Sequence, residues 1–110
     1  MHELALAMEV VDIVTERARG ARVSRVVLEV GVLAAVLPDA LRFCFDIATS
    51  GTGAQGAELA IVERKALARC RVCGEMSEPT NLLALCECGS GDFEWLSGSE
   101  LKVAEMEVAS

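Results

Sequence analysis

The chain has 110 residues, enough for one small domain or a compact unit with an appendage, and too few for two independent hydrophobic cores. Its formal charge of −7 argues against nucleic acid as the main partner, because phosphate binding depends on clustered Lys and Arg. Five Cys accompany a single His, so a metal site built from these two residue types must consist mostly of Cys.

Apolar residues spaced three and four apart predict two amphipathic helices. The first covers residues 4–18 and ends near Gly20. The second covers residues 38–48 and opens with Pro38, a residue favoured at the first helical position. We expect Cys44, on its apolar face, to be a buried small hydrophobic residue. The expected apolar faces are Leu4, Met8, Val11, Val14 and Ala18 in the first helix, and Leu41, Cys44, Phe45 and Ala48 in the second.

Three segments have the composition of β-strands. Residues 22–31 are rich in β-branched side chains, and residues 57–64 follow a loop that contains several Gly. Residues 100–108 form the third, and a bulge near Ala104 or Glu105 would reconcile a change in the phase of their apolar positions. The order of these elements predicts an α+β fold, in which two helices pack on one face of a small three-stranded sheet.

Four of the five Cys lie between the second and third strands, as two close pairs. Cys70 and Cys73 are separated by two residues, whereas only Glu87 separates Cys86 from Cys88. A tight turn at each pair points its thiolates at one ion, so the two pairs predict a tetrahedral four-thiolate zinc(II) site in a zinc ribbon. An insert of roughly thirty residues buries too small a core to fold by itself, so we expect the metal to supply much of its folding energy.

The same Cys pairs allow other interpretations. A cytosolic setting disfavours two disulfides, and an iron–sulfur cluster is the less common occupant of such a ribbon. A thiol redox switch and a zinc-ribbon adaptor that binds a protein partner without handling a second metal both remain open. An enzyme is disfavoured, because His2 is the only imidazole and a metal with four Cys ligands has no open position for catalytic water.

The sequence predicts neither a membrane span nor an export signal. Its longest apolar run covers residues 32–37, far below the ~20 residues that a bilayer requires. The start Met-His-Glu lacks the basic residues and the long apolar stretch of a signal peptide. We therefore expect a cytoplasmic location.

The N-terminus offers a second set of metal ligands. The amine of Met1 and the backbone nitrogen and imidazole of His2 can close small chelate rings on one ion, with the backbone nitrogen of Glu3 adjacent. Deprotonated peptide nitrogens favour square-planar nickel(II) or copper(II). The amine must lose its proton, so binding is expected to weaken as the pH falls. The alternative is that His2 is an ordinary exposed terminal residue.

Several sequence features occur together over essentially the whole chain. They are the start Met1-His2-Glu3-Leu4, the strand that ends in Gly31, the segment Pro38-Asp39-Ala40-Leu41-Arg42-Phe43, the two Cys pairs and the segment Ser97-Gly98-Ser99-Glu100-Leu101. In this combination the sequence resembles the HypA/HybF family, the nickel metallochaperones of [NiFe]-hydrogenase maturation.

The resemblance implies two domains and two metals. Residues 1–64 plus 99–110 would form a nickel-binding α+β domain, and residues 65–98 a zinc-ribbon domain inserted before the last strand. It implies nickel ligands at Met1, His2 and Glu3, and structural zinc ligands at Cys70, Cys73, Cys86 and Cys88. The family commonly has two residues between the second pair of Cys, so the single residue here is expected to make the zinc geometry less ideal.

The resemblance also implies the partners. Family members cooperate with the nickel-handling GTPase HypB and deliver nickel to the large subunit of [NiFe]-hydrogenase, and some also serve urease maturation. Neither nucleic acid nor a membrane is expected as a partner.

Overall fold

The computed structural model describes residues 2–109, which contain two α-helices and six β-strands. The bounds of both helices and of the first two strands agree with the prediction to within one residue at each end. A 3₁₀ turn, Val32–Ala34, was not predicted. In chain order the elements are α1 (Glu3–Ala18), β1 (Arg22–Gly31), α2 (Pro38–Thr49), β2 (Glu58–Arg64), β3 (Leu67–Cys70), β4 (Met76–Ser77), β5 (Phe93–Ser97) and β6 (Leu101–Ala109).

These elements divide between two units. The first unit comprises the residues up to Glu29, Val36–Val62 and the residues from Lys102 onward. The second, which we call the ribbon unit, comprises Val30–Ala35 and Glu63–Leu101. No helix in the described range 2–109 has the length and apolar character needed to cross a bilayer.

The main sheet has three strands in the order β2-β1-β6, so the last strand of the chain pairs with the first. Together with two helices that pack against each other, this small sheet confirms the predicted α+β fold. The central strand is buried at the consecutive residues Val26, Val27 and Leu28, which face opposite sides of the sheet. Burial on both sides explains why this strand is a continuous β-branched run.

Strand β6 lies at one edge of the sheet. As predicted, the spacing of its half-buried positions changes along the strand. Leu101 and Val103 are half-buried, and the next half-buried position is Met106. Lys102 forms an ion pair of 3.3 Å with Glu29 of β1, whose side chain is largely buried. This contact fixes β6 against the central strand, while the bulge near Ala104 or Glu105 stays a prediction.

Helix α1 packs against α2 through a different stripe from the one expected. Val11, Val14 and Ala18 are buried as predicted, but Leu4 is 45% and Met8 is 55% exposed, so the prediction was wrong for these two. The N-terminal half of the helix carries apolar residues on two neighbouring stripes, and spacing alone does not distinguish them. The residues actually buried are Leu6, Ala7, Val10, Val11, Val14 and Ala18.

Helix α2 begins at Pro38 and ends at Thr49, whose hydroxyl donates a hydrogen bond to the carbonyl of Asp46. Leu41 and Phe45 are almost fully buried. Cys44 is half-buried and not buried as expected, because it lies at the border of the stripe that these two residues define.

The ribbon unit contains a second, antiparallel sheet in the order β4-β3-β5. Its core is a cluster of four buried residues, Ala68, Cys70, Cys86 and Phe93, with Trp95 packed against them. The rings of Phe93 and Trp95 are tilted, with centroids 5.4 Å apart. Because two of the four core residues are Cys, the apolar core alone contributes little to the stability of this unit.

Two glycines of the ribbon unit lie against each other. The N–H of Leu33 donates to the carbonyl of Gly98 at 2.8 Å, and the N–H of Gly31 donates to the carbonyl of Glu100 at 2.7 Å. A Cβ on Gly31 would overlap the carbonyl group of Gly98, and a Cβ on Gly98 would lie 2.6 Å from the Cα of Ala66. Neither position has space for a side chain.

Candidate metal centres

The four paired Cys come together in the ribbon unit. Their Sγ atoms all lie within 4.8 Å of one another. The closest approaches join the two pairs, at 3.7 Å between Cys70 and Cys88 and 3.5 Å between Cys73 and Cys86. Sulfur atoms on a tetrahedral zinc ion are about 3.8 Å apart, because each Zn–S bond is about 2.3 Å. The donor set and its spacing therefore fit a zinc ion with four thiolate ligands.

The first pair is held by a turn that follows β3. The N–H of Gly74 donates to the carbonyl of Cys70, and the N–H of Cys70 donates to the carbonyl of Glu75, each at 2.9 Å. Gly74 has φ +78°, a conformation that residues with a side chain rarely adopt. The turn also directs the N–H of Cys73 at the Sγ of Cys70, 3.5 Å away.

The second pair uses the same arrangement with one residue fewer. The N–H of Gly89 donates to the carbonyl of Cys86, and the N–H of Cys86 donates to the carbonyl of Ser90, each at 2.8 Å. Gly89 takes the positive φ of +91°. The second turn therefore closes with hydrogen bonds that each span one residue fewer. The Sγ of Cys88 still lies within 4.8 Å of the other three sulfur atoms.

Crowding of the thiols changes their ionisation. The backbone N–H of Cys73 stabilises the thiolate of Cys70 and lowers its pKa to about 6. The N–H of Glu75 acts in the same direction on Cys73, but the neighbouring thiol of Cys86 and burial outweigh it and raise the pKa of Cys73 to about 12. The pKa of Cys88 is also raised, because the thiols of Cys70 and Cys86 and its burial outweigh the N–H of Ser90. A cation is needed before all of these groups ionise together.

Zinc binding is expected to release protons and to strengthen as the pH rises. Cys73 and Cys88 are protonated at neutral pH, so a bound ion must displace their protons. Below pH 6 the thiol of Cys70 is protonated as well, and the affinity should fall more steeply. Calorimetric titration in buffers of different ionisation enthalpy measures the number of protons released. Binding without proton release at pH 7 would contradict the four-thiolate assignment.

At the N-terminus, the structure describes two of the three predicted nickel ligands, and Met1 lies outside the described residues. His2 is exposed and has extended backbone angles, and its imidazole makes no capping hydrogen bond to α1. Its carbonyl accepts the first helical hydrogen bond, from the N–H of Leu6 at 3.1 Å. The imidazole is therefore accessible to a ligand.

Glu3, the first residue of α1, makes a contact that was not predicted. Its Oε2 accepts a hydrogen bond of 3.3 Å from the backbone N–H of Leu37, the residue before α2. This bond, together with the N–H of Glu3 itself, lowers the pKa of the carboxyl group. The contact joins residues 34 positions apart, and no local sequence pattern indicates it.

Comparison with known proteins gives consistent matches over nearly the whole chain. The family model described as "HypA: Hydrogenase/urease nickel incorporation, metallochaperone, hypA" matches residues 1–108. The hydrogenase maturation factor HypA of Nostoc punctiforme is 48% identical over 108 residues, which cover 98% of this chain and 96% of the relative. The corresponding protein of Geotalea uraniireducens is 43% identical over 109 residues, which cover 98% and 99%.

A solved structure has the same fold. The solution structure of the Ni metallochaperone HypA from Helicobacter pylori matches with a TM-score of 0.70 and 24% sequence identity, covering 98% of this chain and 97% of that one. This likeness extends the agreement from sequence to architecture. With the family model matching residues 1–108, the chain belongs to the HypA family of metallochaperones for nickel incorporation into hydrogenase and urease.

Proposed function

We propose that this protein binds nickel(II) at its N-terminus and delivers it for the maturation of [NiFe]-hydrogenase, while a structural zinc(II) stabilises the ribbon. The observation that carries the proposal is an exposed His2, followed directly by the carboxylate of Glu3, in a chain that belongs to a nickel-incorporation family. We assign nickel binding to a domain of residues 1–64 plus 99–110, and zinc binding to a domain of residues 65–98. The proposed ligands are Met1, His2 and Glu3 for nickel, and Cys70, Cys73, Cys86 and Cys88 for zinc.

The position of the nickel site favours exchange of the ion. The first helical hydrogen bond is the one that the carbonyl of His2 accepts from Leu6, so the peptide nitrogens of His2 and Glu3 donate no helical hydrogen bond. These nitrogens can therefore lose their protons and bind a metal without breaking a helical hydrogen bond of α1. Terminal ligands also exchange one at a time, so transfer to an acceptor does not require unfolding.

Partners and location follow from the same proposal. We expect the chain to work with the nickel-handling GTPase HypB and to deliver nickel to the large subunit of [NiFe]-hydrogenase, with urease maturation proteins as further partners. We place it in the cytoplasm, where these steps would occur. It acts as a carrier and not as an enzyme, because its four-thiolate zinc site offers no open position to a substrate.

Replacing His2 by Ala is expected to abolish nickel binding and leave the zinc content unchanged. Loss of a direct ligand should cost more than the 10- to 100-fold typical of an outer hydrogen-bond partner, so we expect an affinity reduced by about 100-fold or more. Calorimetric nickel titration combined with metal analysis of the zinc-loaded protein measures both effects. Glu9→Gln, a change at an exposed residue of α1, is the control and should bind nickel normally.

An added residue before Met1 tests the amine ligand separately. It displaces the terminal amine while keeping every side chain, so nickel affinity should fall and its dependence on pH should change. Wild-type nickel affinity in the His2→Ala protein would contradict the proposed site, and wild-type affinity in the extended protein would exclude the amine as a ligand. Absence of nickel binding to the wild-type protein would favour the zinc-ribbon adaptor instead.

A further inference from the structure

The segment between the two Cys pairs exposes large apolar side chains. Leu82, Leu83 and Leu85 are 63%, 89% and 69% exposed. Their turn is defined by Asn81, whose Oδ1 accepts a hydrogen bond of 2.8 Å from the N–H of Leu83 and whose carbonyl accepts one of 3.4 Å from the N–H of Ala84. Three leucines held outward on a defined turn form an apolar surface that nothing in the described chain covers.

A cleft of about 180 Å³ adjoins this surface. Met76 and Leu85 supply its apolar walls. Ser77 also lines it, and its hydroxyl oxygen is buried without a hydrogen-bond partner among the described residues. This hydroxyl lies on the side of the strand that faces the buried Ala68, so it is not available to a group bound in the cleft.

Cys86, a proposed zinc ligand, also lines the cleft, and its two remaining lining residues are acidic. Glu75 and Glu87 line it, and neither carboxylate forms an ion pair within residues 2–109. Arg69 lies opposite Met76 in the pairing of β3 with β4. It makes no ion pair with Glu75 or Glu87 in the described residues. The cleft therefore combines apolar walls with two carboxylates that form no ion pair in the described residues.

The wider charge distribution reinforces this character. Residues 72–101 contain six Asp or Glu and no Lys, Arg or His. Of the cations just before this range, Arg71 and Lys65 form ion pairs with Asp92 at 3.3 Å and Glu78 at 3.8 Å, and Arg69 remains exposed. A second copy of such an acidic surface would be repelled, whereas a basic partner would be attracted.

We propose that the cleft and the adjoining leucines bind a segment of a partner protein in which an Arg is flanked by apolar residues. The aliphatic part of the Arg packs on Met76 and Leu85, and its guanidinium donates to the carboxylates of Glu75 and Glu87. Arg suits such a site because it combines an apolar stem with five fixed donors. The site shares no residue with the proposed nickel site at His2 and Glu3.

A peptide titration tests the site directly. The ¹⁵N-labelled, zinc-loaded full chain is titrated with acetyl-Leu-Arg-Leu-Leu-amide and, in parallel, with the peptides that carry Gln or Glu in place of Arg. We expect the Arg peptide to shift the amide resonances of residues 75–77 and 82–87 selectively. The Gln peptide should bind about threefold to tenfold more weakly, and binding of the Arg peptide should weaken as salt is added.

Matched variants locate the charge and the apolar contributions. The double variant E75Q/E87Q should lose the preference for Arg over Gln, whereas E9Q/E105Q, which removes two exposed carboxylates elsewhere, should keep it. Leu83→Ser changes a highly exposed residue and should weaken all three peptides without unfolding the ribbon. Retained Trp95 fluorescence shows that each variant is folded.

Other outcomes would overturn the proposal. Equal affinity for the Arg, Gln and Glu peptides would show that the carboxylates of the cleft do not contribute to recognition. Resonance shifts confined to residues outside 75–87 would show that the peptide binds elsewhere. Phosphatidylcholine vesicles that broaden the resonances of Leu82 and Leu83, with no response to the Arg peptide, would indicate a lipid surface in place of a protein partner.

Discussion

Replacing Cys86 by Ser is expected to abolish zinc binding and to unfold the ribbon unit. Cys86 is both one of the four clustered thiols and one of the four buried residues of the small core. Structural zinc contributes about 10–16 kcal/mol of apparent binding energy, comparable with or larger than the whole stability of a typical domain. A core of two Cys, Ala68 and Phe93 does not replace this contribution.

Trp95, the only Trp of the chain, reports this unfolding. Its ring packs against Phe93 and the core cluster, so loss of the ribbon fold should shift its emission to longer wavelength. The far-ultraviolet circular dichroism of α1 and α2 should largely persist, because both helices belong to the other unit. Metal analysis should find less than one zinc for every ten chains, and strong chelators should have the same spectroscopic effect on the wild-type protein.

Cys44→Ser is the matched control. It makes the same chemical change at a half-buried Cys outside the cluster, in α2. We expect full zinc content and unchanged Trp95 emission in this variant. A Cys86→Ser protein with one equivalent of zinc and native fluorescence would show that the four thiols do not hold a structural ion.

Replacing Gly31 by Ala is expected to be strongly destabilising. The new Cβ would overlap the carbonyl group of Gly98, and it would lie 2.7 Å from the backbone nitrogen of Glu100. Both neighbours are backbone atoms, so relief requires the chain to move and breaks the hydrogen bonds that Gly31 and Leu33 make there. Overpacking of this kind costs about 3 kcal/mol, which lowers the Tm by roughly 10 °C.

Gly53→Ala provides the comparison. At that position an added Cβ would meet only the carbonyl oxygen of Ala21, at an ordinary contact distance of 3.5 Å. The substitution should change the free energy of unfolding by less than about 1 kcal/mol. Thermal unfolding of both variants, followed by circular dichroism, measures the difference. Equal stability of the two would mean that the backbone at Gly31 yields more easily than its contacts indicate.

The sequence predicted the elements of the fold better than their burial. β-Branched residues and the Pro at the start of α2 act locally, so they define β1 and the second helix within the segment itself. Which stripe of α1 is buried depends on the partner surface, so Leu4 and Met8 were assigned wrongly to the core. The half-exposure of Cys44 has the same origin.

The features of the candidate sites also divide into those that local spacing predicts and those that depend on tertiary contacts. The spacing of the Cys pairs is a local property, and it predicted that four thiols would meet at one point, as the Sγ separations show. The contact of Glu3 with Leu37 joins distant parts of the chain, and only the packing of the two helices creates it. The acidic cleft likewise depends on the approach of residues 75–77 to residues 85–87. Local spacing was informative, and tertiary contacts were not accessible from one sequence.

The hydrogen bond between Glu3 and Leu37 places the beginnings of two helices side by side. Each helix N-terminus carries roughly half a positive charge, and the carboxylate of Glu3 lies between the two. A divalent ion at His2 and Glu3 would therefore be bound against the field of both helix ends, with one carboxylate to offset it. This local repulsion lowers the energy needed to remove the ion, a property that suits cargo held for transfer and would be a disadvantage in a permanent metal site.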